Sequence, residues 1–287
     1  MAMEPLGSSE NIRVMTWNIA YGYGHGSAGD HYHYRPKSEF IRRLEGMASI
    51  IRQESADIVL LQEVDFKSHR SHSINEMQFL SEKTGLQYAV SAVSWNKLYI
   101  PFPYWPPRDH FGKMLSGGAV LSRFPLSENT THLLPKPQEF PWWYRLFYLH
   151  RYFQVVSVDI GGRQYRVINL HLEAFKQSNR EHQAEFISQW IRTRLTEQEL
   201  LVVGGDFNSS LGERTLDSFL ALPELHEAGQ RVGLNGGSFP AERPTRRLDH
   251  LFVNKGQIIQ SARIIQTDNL SDHLPVISAI QLQSPMN

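Results

Sequence analysis

Apolar runs that end on polar residues recur along the chain: RVMTWN at 13–18, DIVLLQE at 57–63, GGAVLS at 117–122, YRVINLHLE at 165–173, LLVVGGDFN at 200–208 and LDHLFVN at 248–254. Their length and near-continuous apolar character predict buried strands. The segments 38–54, 75–84 and 178–196 instead carry apolar residues at helical spacing and predict amphipathic helices. In the last, Ser178 is the expected N-cap, with Glu181 completing a capping box. YFQVVSVDI and YRVINLHLE, joined through Gly161 and Gly162, form a hairpin signal. Strands that pair across turns, mixed with helices, indicate a layered α/β sandwich. With no internal repeat, low-complexity tract or composition break, residues 12–287 are expected to form one domain. Residues 1–11 read as a disordered tail or an artificial leader.

Composition narrows the classes of function. The chain has 287 residues, and 29 Lys and Arg balance 29 Asp and Glu, so no net field recruits polyanions. There is no cysteine, which excludes disulfides, thiolate metal sites and a cysteine nucleophile. Neither a signal peptide nor a run approaching the roughly 18 apolar residues of a membrane span is visible in the sequence. A soluble or peripheral membrane protein, monomeric and of open compartment, is the expectation.

The chemistry collects at strand ends, where side chains converge on ligands in open α/β sheets. In LLVVGGDFN, Asp206 and Asn208 follow Gly204 and Gly205; two-residue spacing puts both side chains on one face, and the glycines allow close approach of a backbone or a phosphate. The same residues also spell an ordinary turn. In INLHLE the alternation sends Ile168, Leu170 and Leu172 to the core and presents Asn169, His171 and Glu173 on a polar face. Glu63 ends a buried strand, where an unpaired carboxylate is costly and an adjacent cation, or an arginine, removes the cost. Near the C-terminus, RRLDHLFVN and SDHLPVIS supply Asp249, His250, Asp272 and His273, and Asp249 is a candidate to hold the His273 ring and favour its charged form. Arg243, Arg246 and Arg247 just upstream are candidates to grip phosphate or to form a solvated surface cluster. His25, His31 and His33 lie in a Gly-rich stretch with no rigid element to fix a metal-ligand spacing.

Two segments stand apart. Residues 95–111 (WNKLYIPFPYWPPRDHF) hold six aromatics and four prolines, and residues 140–153 (FPWWYRLFYLHRYF) hold eight aromatics. Together they carry 14 of the chain's 32 aromatics, a concentration that fits a surface dipping into a bilayer interface, a second core or a dimer contact.

The ordered series TWN, QE, GGAVLSRFP, NLHL, GDFN, RLDH and a terminal SDHLP resembles, over about residues 12–281, the endonuclease/exonuclease/phosphatase superfamily. That superfamily includes DNase I-like nucleases, abasic-site endonucleases, inositol polyphosphate phosphatases, deadenylases and neutral sphingomyelinases. The resemblance implies a four-layer α/β sandwich with two central mixed β-sheets and a divalent metal, usually Mg²⁺, that hydrolyses a phosphoester by in-line attack of water. It matches Glu63 to the principal metal ligand, with Asn18 its neighbour and Asp272 a second-metal or water-linked carboxylate. Asp206 matches the carboxylate that orients or deprotonates water, and Asn208 the amide that holds phosphate oxygen and water. His171 matches the histidine that contacts the scissile phosphate, and His273 the one that stabilises the phosphorane, oriented by Asp249. All-oxygen ligands and the absence of cysteine independently suit a hard cation, Mg²⁺ or its substitute Mn²⁺.

The superfamily motifs do not choose a substrate. The neutral charge and the aromatic segments point to a phosphodiesterase acting on a phospholipid or sphingolipid headgroup, similar to the neutral sphingomyelinases. A nuclease using the same rings to stack single-strand bases is the alternative, and a non-catalytic binding module is a third.

Overall fold

The computed structural model describes residues 11–24, 35–195 and 200–283. His25, His31, His33 and the first ten residues lie outside them; Asn11, expected in the tail, opens the first strand. The elements run β1 Asn11–Asn18, α1 Lys37–Gln53, β2 Ile58–Asp65, α2 Glu76–Thr84, β3 Tyr88–Ile100, β4 Gly112–Ser122, β5 Leu126–Leu133 and α3 Trp142–Phe147. They continue with β6 Tyr152–Ile160, β7 Arg163–His171, α4 Gln177–Arg194, β8 Leu200–Asp206, α5 Arg214–Leu220, β9 Leu225–Glu227, α6 Ala228–Arg231, β10 Asp249–Asn254, β11 Ile258–Ile264 and β12 Val276–Gln281.

The strands form two six-stranded mixed sheets, in the orders β11-β12-β1-β2-β4-β3 and β5-β6-β7-β8-β10-β9. Strand alternation explains the layering. In β1, Ile12 and Val14 turn toward the second sheet and meet Val156, Val167 and Val202, while Met15 and Trp17 turn outward onto Leu44, Met47 and Ile51 of α1. On the far side, Ile168, Leu170 and Val203 pack against Ala184 and Ile187 of α4 and Phe219 of α5. The result is the expected four-layer sandwich, helices outside and sheets face to face within.

The β6–β7 hairpin forms as its glycines demand: Ile160 pairs with Arg163, and Gly161 and Gly162 take φ of 63° and 83°, which a two-residue primed turn requires. The capping box does not form. Helix α4 starts at Gln177 after Lys176, and Ser178 lies inside it with its hydroxyl 3.4 Å from Glu139 Oε1. A hydroxyl within the first turn cannot cap that turn, because the free amides lie on the residues before and beside it.

The polar face of β7 is not presented to solvent, contrary to its alternation. Asn169, His171 and Glu173 are buried, because the first sheet lies over this face. Gln62 donates to Asn169 Oδ1 at 2.7 Å and to Thr16 Oγ1 at 3.1 Å, and Asn169 donates to the Leu61 carbonyl at 3.0 Å. This amide bridge between the sheets replaces the apolar core at one end of the sandwich. The catalytic candidates collect at that same end.

Candidate active site

Register assembles the first row of the site. His171 pairs with Asp206 across β7–β8, Asp249 pairs with Asp206 across β10–β8, and Tyr152 pairs with His171 across β6–β7. Asn18, at the end of β1, reaches over from the other sheet and donates from Nδ2 to Asp206 Oδ2 at 3.0 Å. Seven of the eight residues expected from the sequence (Asn18, Glu63, His171, Asp206, Asn208, Asp272 and His273) line one cavity of about 310 Å³, and Asp249 sits buried behind His273.

Glu63 comes to the cavity by a device the sequence hid. Strand β2 continues to Asp65 through a register shift between Leu61 and Val64, and Glu63 takes φ of 53° there. A bulge with a non-glycine residue in the left-handed region re-aims one side chain out of the strand at an energetic cost that the surrounding sheet must hold. Burial, and then the neighbouring Asp272, push its carboxyl up to about 7, against the opposing pull of Arg151 and His273.

Asp206 and Asn208 meet for a different reason than strand spacing. The strand stops at Asp206, Asn208 takes φ of 51°, and its amide N–H donates to Asp206 Oδ1 at 2.8 Å. The turn reading therefore holds, and the same turn brings both side chains to the cavity: an Asx-type turn places the second amide beside the carboxylate. Asn208 Nδ2 donates to the Leu172 carbonyl at 3.0 Å. The preceding glycines serve the sheet rather than a phosphate. A Cβ on Gly205, whose φ is 149°, would lie 2.0 Å from the Leu170 carbonyl oxygen, and one on Gly204 would strike Leu251 and Leu60.

The loop 271–273 is clamped to β1. Ser271 donates to the Asn18 carbonyl at 2.6 Å, and Trp17 Nε1 donates to the His273 carbonyl at 3.0 Å. His273 Nδ1 donates to Asp249 Oδ2 at 2.8 Å, an oxygen that also accepts from Ser238 Oγ at 2.6 Å. Burial opposes the charge on His273, but Asp249 and Asp206 outweigh it and hold the ring protonated well above the usual histidine range. Burial and the nearby His273 act oppositely on Asp206, and its pKa is raised.

Atoms of Asp206, Asp249 and His273 lie within 4.8 Å of one another. The trio already holds its own positive charge on the imidazolium, and a protonated ring cannot ligate. The carboxylate of Glu63, raised by burial and by the neighbouring Asp272, is the one left short of a cation.

Two arginines that line the cavity, Arg151 and Arg70, were not singled out by the sequence. Arg151 Nη1 lies 2.5 Å from His171 Nε2, and its Nε lies 3.9 Å from Glu173 Oε2; the other oxygen of that carboxylate, Oε1, accepts from the Tyr148 hydroxyl at 2.8 Å. Burial and Arg151 together depress the His171 pKa well below the usual range, so this ring is neutral and accepts from the guanidinium. The only sequence signal for Arg151 was its place one residue before the strand that pairs with His171. Arg70, buried, forks onto Asp65 at 3.0 and 3.1 Å, and its guanidinium carbon sits 3.6 Å from the centre of the Tyr21 ring; nothing in the sequence marked it. Conversely, Arg246 pairs with Glu213 at 3.0 Å, Arg247 is buried against Glu227 at 3.2 Å, and His250 bonds Glu227 at 3.3 Å and the Ser209 carbonyl at 3.0 Å. These three serve the structure, and the cavity lining does not include Arg243.

The aromatic segments divide. Trp95, Ile100, Phe111 and Met114 form a small core of their own with Phe102 and Leu149, as the second-core reading expects. Their outer members are exposed, among them Leu98 at 89%, Trp105 at 79% and Trp142 at 74%.

The sequence model of the Endonuclease/Exonuclease/phosphatase family matches residues 15–273. Among solved structures, an endonuclease/exonuclease/phosphatase from Beutenbergia cavernae aligns over 96% of this chain and 72% of its own, at 20% identity and a TM-score of 0.69. A mannosyl-6-phosphatase from Bacteroides thetaiotaomicron covers 94% of this chain and 99% of its own at 16% identity and a TM-score of 0.67. TDP2 from D. rerio, complexed with a single-strand DNA product, covers 94% and 98% at 15% identity and a TM-score of 0.65. No curated protein matches the chain in sequence.

Proposed function

The chain belongs to the endonuclease/exonuclease/phosphatase family and is a phosphoester hydrolase, and from that premise we propose that it is a divalent-metal-dependent phosphodiesterase acting on lipid headgroups at a membrane surface. The donor set fits a hard cation. Glu63, Asp272 and the Asn18 amide are oxygen donors, and a carboxyl raised to about 7 by burial and by a second carboxylate is relieved by a divalent ion. Glu63, Asp272 and Asn18 would hold Mg²⁺ or Mn²⁺. When bound, the ion would neutralise charge developing on the phosphoryl oxygens.

The chain's own groups then divide the work. Asp206, with a raised pKa and two hydrogen bonds fixing its orientation, takes the proton of the attacking water. Asn208 holds that water and a phosphoryl oxygen. His273, kept charged by Asp249, donates to the oxygen on which negative charge grows, and the neutral His171 contacts the same phosphate.

The observation that carries the lipid reading is the exposed aromatic surface beside the cavity. Trp105 and Trp142 lie open to solvent, and Phe175, 73% exposed, lines the cavity itself. Indole and phenyl rings left in water at the mouth of a site are stabilised at a bilayer interface, and the zero net charge gives no general attraction to a polyanion. Mg²⁺-dependent turnover on sphingomyelin and phosphatidylcholine vesicles, measured beside single-strand DNA cleavage and retention, tests the assignment. Vesicle binding with headgroup release supports it. Cleavage of the single strand with no vesicle binding makes the chain a nuclease instead.

A further inference from the structure

A second cleft, also of about 310 Å³, adjoins the catalytic cavity, and the two share Glu63, Arg70 and Arg151 in their common wall. Its lining draws on both aromatic segments: Trp95, Phe102 and Tyr104 from one, Tyr144 and Phe147 from the other. We propose that this cleft seats the hydrocarbon of the substrate, the first methylenes carried on the ester oxygen of the phosphate held next door. The inference rests on the lipid phosphodiesterase reading and adds which part of the lipid the chain itself grips.

Three features select hydrocarbon over a nucleobase or a sugar. First, three of the cleft's hydrogen-bonding groups are consumed inside its walls. Trp95 Nε1 donates to the Phe147 carbonyl at 2.9 Å, the Tyr148 hydroxyl donates to Glu173 at 2.8 Å, and Arg70 forks onto Asp65. A base or sugar entering would find none of these three groups free to replace its bonds to water, whereas a methylene chain has no such bonds to give up.

Second, the wall rings meet edge to face. Phe102 crosses Tyr104 at 81° and Phe111 at 67°, and Trp95 crosses Phe111 at 78°. Such tiling gives a curved apolar lining instead of the flat open faces on which bases stack.

Third, the cleft opens on the exposed aromatic surface. Tyr104 is 51% and Phe147 37% exposed at its mouth, next in the chain to Trp105 and one helical turn from Trp143. An apolar path therefore runs from the proposed bilayer contact as far as the wall of Glu63, Arg70 and Arg151 that the cleft shares with the catalytic cavity.

Titration calorimetry with ethyl, butyl and hexyl phosphate, kept monomeric and with Mg²⁺ present, reads the cleft directly. Full burial of each added methylene raises affinity by about fourfold, and partial burial by about twofold. Tyr104→Ala and Phe147→Ala, made singly and together and checked for an unchanged melting temperature, should flatten that dependence. An affinity that does not change with chain length in the parent, or thymidine monophosphate binding tighter than hexyl phosphate, overturns the inference. Hydrolysis of methyl p-nitrophenyl phosphate by the parent is scored separately. Its absence counts against the phosphodiesterase reading, while the chain-length dependence still decides the cleft.

Discussion

Nδ1 of His273 lies 2.8 Å from Oδ2 of Asp249, joining a loop before the last strand of one sheet to the first residue of a strand in the other. Ser238 fixes the same oxygen at 2.6 Å, so the carboxylate cannot turn away from the ring. Asp249→Asn keeps the shape of this pair but removes the charge that keeps His273 protonated, and His273→Ala removes the ring. Each should lower kcat on bis-p-nitrophenyl phosphate by at least ~10², as should Asp206→Asn. A loss under tenfold for any of the three would contradict the role given to it.

Glu63 should report the metal twice. Glu63→Ala, or excess EDTA, should abolish turnover, and undiminished hydrolysis under chelation would remove the metal from the mechanism. Stability gives a second readout. The folded carboxyl sits at about 7, above an unfolded value of about 4.3, so the metal-free fold loses stability as pH rises from the lower value through the higher one. In EDTA, Glu63→Gln should therefore melt above the parent at pH 8 and level with it near pH 4. Added Mg²⁺ should raise the melting temperature of the parent and not of the variant.

Arg151 should prove a positioning residue for His171. Arg151→Met leaves His171 without the guanidinium 2.5 Å away that depresses its pKa, and frees Glu63 and Glu173 of a neighbouring cation. The expected result is a loss of at least tenfold in kcat together with a His171 titration, followed by ring NMR, that moves up toward ordinary values. Arg151→Lys should recover part of both. Unaltered His171 titration in the Met variant would assign Arg151 a purely structural part.

Trp142 and Trp143, exposed by 74% and 48% on α3, are offered to the bilayer in the lipid reading. Replacing both with Ala should weaken vesicle binding and lower turnover in vesicles, since burial of apolar surface contributes about 25 cal/mol per Å². Turnover of a small soluble diester should persist. A drop in melting temperature or a change of mass by light scattering, with both activities falling together, would instead mark these rings as core or dimer contacts.

Strand and helix identity was legible because it follows from local periodicity: an apolar run such as DIVLL has only buried-strand or buried-helix solutions, and its length selects the first. The ordered motifs likewise named eight residues that the structure brings together at one end of the sandwich, since each stands at or near a strand end, where a short polar residue after an apolar run is visible in one dimension. What the chain could not show was how its two sheets face one another. The alternation of β7 read as a solvent face because no local signal says that a second sheet covers it, and His171 is therefore a buried neutral ring rather than an open one. The bulge that turns Glu63 into the cavity depends on pairing with β4, some fifty residues away. Arg151 acquires its meaning only when the hairpin brings it against His171, and Arg70 only when Asp65 and Tyr21 close around it. Periodicity is a property of neighbours in the chain, whereas burial, charge state and the aim of a side chain are set by what packs from elsewhere.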